Sequence, residues 1–195
     1  MKDRMEVGTS HADTTRGFSK WRWAGVALAI PVAGLIAGAV SGPVDAPLAA
    51  LIGGLLTGAG LGAAQWFLGK DVFGDGRVWI TTTAVAYGVG LMAGAAVVGY
   101  QTDIGSLALM GAISGLSLGA AQGFVLLQQN RERLAVPWAV AMPALLALGW
   151  MASTLIGVDV DQQFTVFGAM GAIVFTLLSG LLLMRYRPPM AKAAS

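Results

Sequence analysis

The chain has no cysteine, one histidine, and only 11% charged residues among 195. Without cysteine there is no disulfide and no thiolate to act as ligand or nucleophile. The single histidine, His11, sits in a polar N-terminal stretch, so no Ser-His-Asp set is available, and no His/Asp/Glu group has metal-ligand spacing. A phosphate-cradling Gly-x-x-x-x-Gly-Lys loop is also missing. Ser153 and Thr154 lie near small residues, but no base accompanies them. These absences predict a protein that is not an enzyme and carries no cofactor or metal.

A second absence concerns where the charges stand. Apolar residues make up 56% of the chain and the mean hydropathy is +0.71. Soluble domains carry roughly 25% charged residues, so this composition marks a membrane protein. Six stretches are long enough to cross about 30 Å of hydrocarbon, near residues 23–42, 47–68, 78–99, 106–127, 136–157 and 164–184. None carries Asp, Glu, Lys, Arg or His at its middle. A proton relay or a voltage sensor needs such groups, so neither is supported.

Basic residues are missing from alternate loops. Lys2, Arg4, Arg16, Lys20 and Arg22 precede the first stretch, Lys70 and Arg77 follow the second, Arg131 and Arg133 the fourth, and Arg185, Arg187 and Lys192 the sixth. The other three loops hold only Asp45, Asp103, Asp159 and Asp161. Positive charge near helix ends stays cytoplasmic, which predicts both termini inside. Because the basic residues are spread over four membrane-flanking segments, they do not form a nucleic-acid face; the basic arm can touch anionic headgroups. A basic start and an apolar run ending Ala39-Val-Ser-Gly42 have the outline of a signal peptide. Residues 23–40 nevertheless match the internal helix 79–96, which predicts a retained first helix.

What is present in abundance is glycine, and it recurs. Gly54-Leu-Leu-Thr-Gly58-Ala-Gly-Leu-Gly62-Ala-Ala-Gln65 returns 57 positions later as Gly111-Ala-Ile-Ser-Gly115-Leu-Ser-Leu-Gly119-Ala-Ala-Gln122. A fainter third copy begins at Gly168, with Ala172, Thr176 and Ser179 in the later places. The partner segments run Trp23 with Gly34-Leu-Ile-Ala-Gly38-Ala39, Trp79 with Gly90-Leu-Met-Ala-Gly94-Ala95, and Trp138 with Gly149-Trp-Met-Ala-Ser153-Thr154. Such periodicity predicts an all-α, six-helix transmembrane bundle built from three two-helix hairpins. The predicted divisions are a polar basic arm (1–22), a membrane domain (23–185) with units near 23–68, 78–127 and 136–184, and a short basic tail (186–195). Each unit restores the same orientation, so the units are parallel, either around a pseudo-threefold axis or in a row.

At 100° per residue, Gly54, Gly58, Gly62 and Gln65 fall at about 0°, 40°, 80° and 20°, on one face; Gly111, Gly115, Gly119 and Gln122 do the same. Small residues allow close backbone approach in lipid, so each stripe is expected to pack, within the bundle or against another protomer. A glutamine facing hydrocarbon would leave polar groups unpaired, so Gln65 and Gln122 should point inward, with Ser179 in the matching place. This polar layer is either interhelical glue or a solute-contacting layer. The outer acids are expected to cap returning helices, or else to form an acidic mouth that attracts cations. Trp23, Trp79 and Trp138 are read as interfacial belt residues, with Trp66 and Tyr100 also near helix ends. Pro31 and Pro143, and Gly88 with Gly90, lie inside predicted helices where kinks are expected.

The Trp-start helices and the stretch Gly62-Ala-Ala-Gln-Trp-Phe-Leu68 resemble uncharacterised bacterial polytopic membrane proteins built of repeated Trp/Gly-rich hairpins of Gly-x-x-Gln-Trp-Leu type. The likeness spans most of residues 21–185 and implies a bacterial inner membrane, with no activity attached. Two functions remain open. One is a non-enzymatic scaffold or subunit of a membrane assembly, with a homo-oligomer or another membrane protein as partner besides the lipid bilayer. The other is a passive channel or facilitator for a small neutral or cationic solute. A scaffold should have a closed interior, a facilitator a continuous polar path.

Overall fold

The computed structural model describes residues 19–157 and 169–186, and within them every regular element is a helix. They are α1 (Lys20–Trp23), α2 (Val26–Ser41), α3 (Pro47–Phe73), α4 (Gly76–Val97), α5 (Ile104–Gln128), α6 (Glu132–Leu155) and α7 (Ala169–Arg185). Lys20–Ser41 and α3 to α6 are long and apolar enough to cross a membrane, while the described part of α7 has 17 residues. Leu28, Leu35, Val40, Phe67, Leu116, Phe124, Val140 and Leu177 are exposed, as side chains facing lipid should be.

The ends follow from local chemistry. Asp75 Oδ1 accepts from the N–H groups of Arg77 and Val78, starting α4, and Asp103 Oδ1 accepts from those of Gly105 and Ser106, starting α5. Asp45 caps nothing: α3 has Ala46 before it, no side-chain cap, and Pro47 in its first turn. Proline has no N–H to satisfy, so an acidic cap loses part of its use there. Asp159 and Asp161 lie outside the described residues. The expected kinks at Pro31 and Pro143 are not where the backbone departs from helix; α2 and α6 run through both prolines. The break is at Gly69 in α3 (φ −127°, ψ 31°), and beyond it Val72 and Phe73 turn into the core while Lys70 and Asp71 stay exposed.

Neighbour contacts close a ring: α2 on α3, α3 on α4, α4 on α5, α5 on α6, α6 on α7, and α7 back on α2. Directions alternate. Gly54 faces Gly88 and Leu91 while Gly62 faces Ile80 and Thr83; Gly111 faces Leu146 while Gly119 faces Ala139. At the closing seam, α7 starts beside the end of α6, where Gly171 N–H donates to Ser153 Oγ at 3.1 Å, and it ends beside Trp23. Thus α3, α5 and α7 point one way.

Candidate functional site

Gln65 on α3 and Gln122 on α5 are both fully buried, and their amides meet. Gln122 Nε2 donates to Gln65 Oε1 at 2.9 Å and to Thr83 Oγ1 at 2.9 Å. Two indoles complete the set: Trp79 Nε1 donates to Gln65 Oε1 at 3.1 Å, and Trp138 Nε1 to Gln122 Oε1 at 2.8 Å. An indole N–H can only donate, so these bonds decide which branch of each amide is oxygen. Thr83 Oγ1 donates in turn to its own helix at Trp79 O, 2.7 Å away. The result ties α3, α4, α5 and α6 together at one depth.

The third member behaves differently. Ser179 Oγ accepts from Trp23 Nε1 at 3.3 Å, and the same indole donates to Thr176 O at 3.1 Å. Ser179 Oγ also lies 3.3 Å from Thr176 O in its own helix. The predicted layer is therefore divided: the two glutamines are joined directly, and the serine is joined to Trp23 instead. Its side chain ends one atom beyond Cβ, and its hydroxyl does not meet Gln65 Nε2.

The tryptophans are not belt residues. Trp23, Trp79 and Trp138 are 2%, 0% and 0% exposed. Each puts its N–H on the polar residue of a different helix, and an indole so engaged is drawn inward from the surface. Phe73 packs among them, with ring centroids 5.8 Å from Trp23, 4.2 Å from Trp79 and 5.6 Å from Trp138. Gln129 Nε2 donates to Phe73 O at 3.0 Å and Arg131 Nη2 to Asp71 O at 2.8 Å, so the segment carrying Phe73 is held from the α5–α6 side. Sequence reading passed over Phe73. In two of the three units a donor-only indole recurs with an amide, the pairing that the fold brings together across helices.

The glycine stripes face neighbours in the same chain. A Cβ at Gly54 would stand 2.7 Å from Gly88 Cα, one at Gly58 2.8 Å from Thr83 O, and one at Gly62 2.9 Å from Thr83 Cβ. At Gly111 it would meet Leu146 O at 2.9 Å, at Gly115 Pro143 Cα at 2.6 Å, and at Gly119 Ala139 O at 2.5 Å. Gly168 lies outside the described residues. Among the acids, Asp103 is engaged: its carboxylate accepts from Ser106 Oγ and from two backbone N–H groups. The Ser106 hydroxyl bond, followed by the backbone bond from Ser106, holds the Asp103 pKa below the usual aspartate value.

Among the described residues no group of three or more His, Cys, Asp or Glu is placed to hold a metal ion. Comparison with protein-family models, with curated proteins and with solved structures finds no match.

Proposed function

We propose that this is a non-enzymatic protein of the bacterial inner membrane that serves as a scaffold or subunit of a membrane assembly. Its six helices form three repeated hairpins around an axis along the membrane normal, with both termini cytoplasmic. The closed circuit of helix contacts supports that arrangement, and the one-sided distribution of Lys and Arg supports the orientation.

The observation that carries the scaffold reading is the mutual pairing of the layer. Two indole N–H groups, both glutamine oxygens and Gln122 Nε2 are engaged with one another around Phe73, which leaves Gln65 Nε2 alone among the polar atoms of the two glutamines without a partner. Both glycine stripes face helices of the same chain, so a partner would meet the outer apolar surface rather than the stripes. Of the five long spans, Lys20–Ser41 is the least buried within the chain, and it offers the broadest such face.

Two measurements on the full chain test this. Isolation in mild detergent followed by native mass spectrometry should give a stoichiometric partner or a homo-oligomer. Proteoliposomes should pass glycerol and monovalent cations no faster than empty vesicles. Flux that is present and is lost in the Gln65→Leu/Gln122→Leu double variant would establish a facilitator instead.

A further inference from the structure

We propose that a small neutral polar molecule binds between α3 and α7, in the place a third glutamine would take, with its oxygen accepting from Gln65 Nε2 and its other polar contact at Thr176 Oγ1. The pattern of the layer points there. Gln122, 57 positions after Gln65, donates from Nε2 to the Gln65 oxygen. The same step repeated from Gln122 arrives at residue 179, so Gln65 Nε2 would donate to an amide there. The residue is serine, and Gln65 Nε2 is buried with no partner.

A second orphan stands opposite. Thr176 Oγ1 is also buried and without a partner, on a residue only 4% exposed. Trp23 sets the depth of both. A Cβ at Gly69 would lie 3.3 Å from Trp23 Cζ3, and one at Gly180 2.9 Å from Trp23 Cδ1, so the indole lies between α3 and α7. Gln65 precedes Gly69 by four residues and Thr176 precedes Gly180 by four, and the two helices run the same way. Gln65 thus lies one turn before the glycine that meets the indole on α3, as Thr176 does on α7, where the indole N–H also reaches Thr176 O.

The chemistry of the guest follows from its walls. Gln65 Nε2 can only donate, so the guest presents an acceptor oxygen. The threonine hydroxyl can donate or accept, and Gln122 Oε1, which takes one indole N–H, has a lone pair left for a donor. No Asp, Glu, Lys, Arg or His is buried among the described residues, so an ion would find no countercharge and a neutral molecule fits. Two sources share this chemistry: water, and a small amide that replaces the missing side chain. The site is independent of the scaffold reading, because a scaffold and a facilitator could both hold it.

The test uses the full chain in lipid nanodiscs, with the Gln65 side-chain amide followed by proton–nitrogen NMR and acetamide as the probe. For an amide guest, acetamide shifts the Gln65 signal saturably, and Ser179→Gln, which supplies the amide covalently, abolishes the response. For water, acetamide leaves the signal in place, but the Gln65 amide protons show cross-relaxation to a bound water that Ser179→Gln displaces. Where Ser179→Gln does not fold, Thr176→Val serves: it should weaken acetamide binding about tenfold or remove the water signal. The proposal is overturned if Gln65 shows neither response, or if the response is unchanged in the variant that folds.

Discussion

Gln122 Nε2 donates to Gln65 Oε1 at 2.9 Å, joining two helices at side chains 57 positions apart that each occupy the same place behind a glycine stripe. The two amides are not equivalent. Gln65 Oε1 accepts from both Trp79 and Gln122, whereas the side-chain oxygen of Gln122 accepts from Trp138 alone.

That asymmetry orders two otherwise similar substitutions. Trp79→Phe leaves Gln65 Oε1 with one donor, but Trp138→Phe leaves Gln122 Oε1 buried with none. An unsatisfied buried acceptor costs about 1–3 kcal/mol beyond the shared loss of ring volume. Trp138→Phe should therefore lower the unfolding midpoint in a denaturing-detergent titration more than Trp79→Phe. Equal losses would mean that the indole bonds add nothing to the aromatic packing.

Glycines on one ring of helices should respond oppositely according to what they face. A Cβ at Gly115 would meet Met142 O and Pro143 Cα, and backbone cannot step aside; a Cβ at Gly38 would meet nothing within 4 Å. Gly115→Ala is expected to destabilise by about 1–3 kcal/mol through overpacking. Gly38→Ala should be neutral or stabilising by up to about 1 kcal/mol, since alanine favours the helix. Equilibrium unfolding of the two variants in the same detergent checks the difference in sign.

These contrasts show where the sequence was readable. The apolar runs, their lengths and the inward direction of Gln65 and Gln122 were legible because periodicity and the cost of burying an amide in lipid are local facts. The place of the tryptophans was not. A Trp at a helix start suits the interface as well as the core, and only a partner on another helix decides between them. The Gly69 break was hidden for a related reason. Its φ of −127° is open to any residue, so no local signal demands glycine; the demand comes from Phe73, whose Cε2 would stand 2.8 Å from a Cβ there.

Asp103 predicts a pH effect. Its pKa is held below the usual aspartate value by Ser106 and the first N–H groups of α5. A depressed folded-state pKa means stability that is present above the unfolded aspartate pKa and is lost as pH falls through the folded value. Thermal unfolding should therefore show a fall in acid. Asp103→Asn keeps a capping oxygen without the titrating proton, so that component of the fall should vanish in the variant. A variant with the same acid profile as the parent would remove Asp103 from the account.

Phe73 gives the widest consequence, because it touches three indoles from three places in the chain. Deleting a fully buried phenyl ring costs about 3–5 kcal/mol when the surroundings collapse only partly. Here the walls of the vacated space would be Trp23, Trp79 and Trp138, already fastened by their N–H groups to Ser179, Gln65 and Gln122. Collapse is therefore restricted, and Phe73→Ala should open the centre rather than heal it. Tryptophan fluorescence should shift to the red and become more accessible to acrylamide, above the background from the exposed Trp21. Phe73→Leu, which keeps most of the apolar volume, should show a much smaller change. If the three indoles stood in the lipid interface, neither substitution would alter their quenching, so unchanged spectra in Phe73→Ala would overturn the buried aromatic cluster.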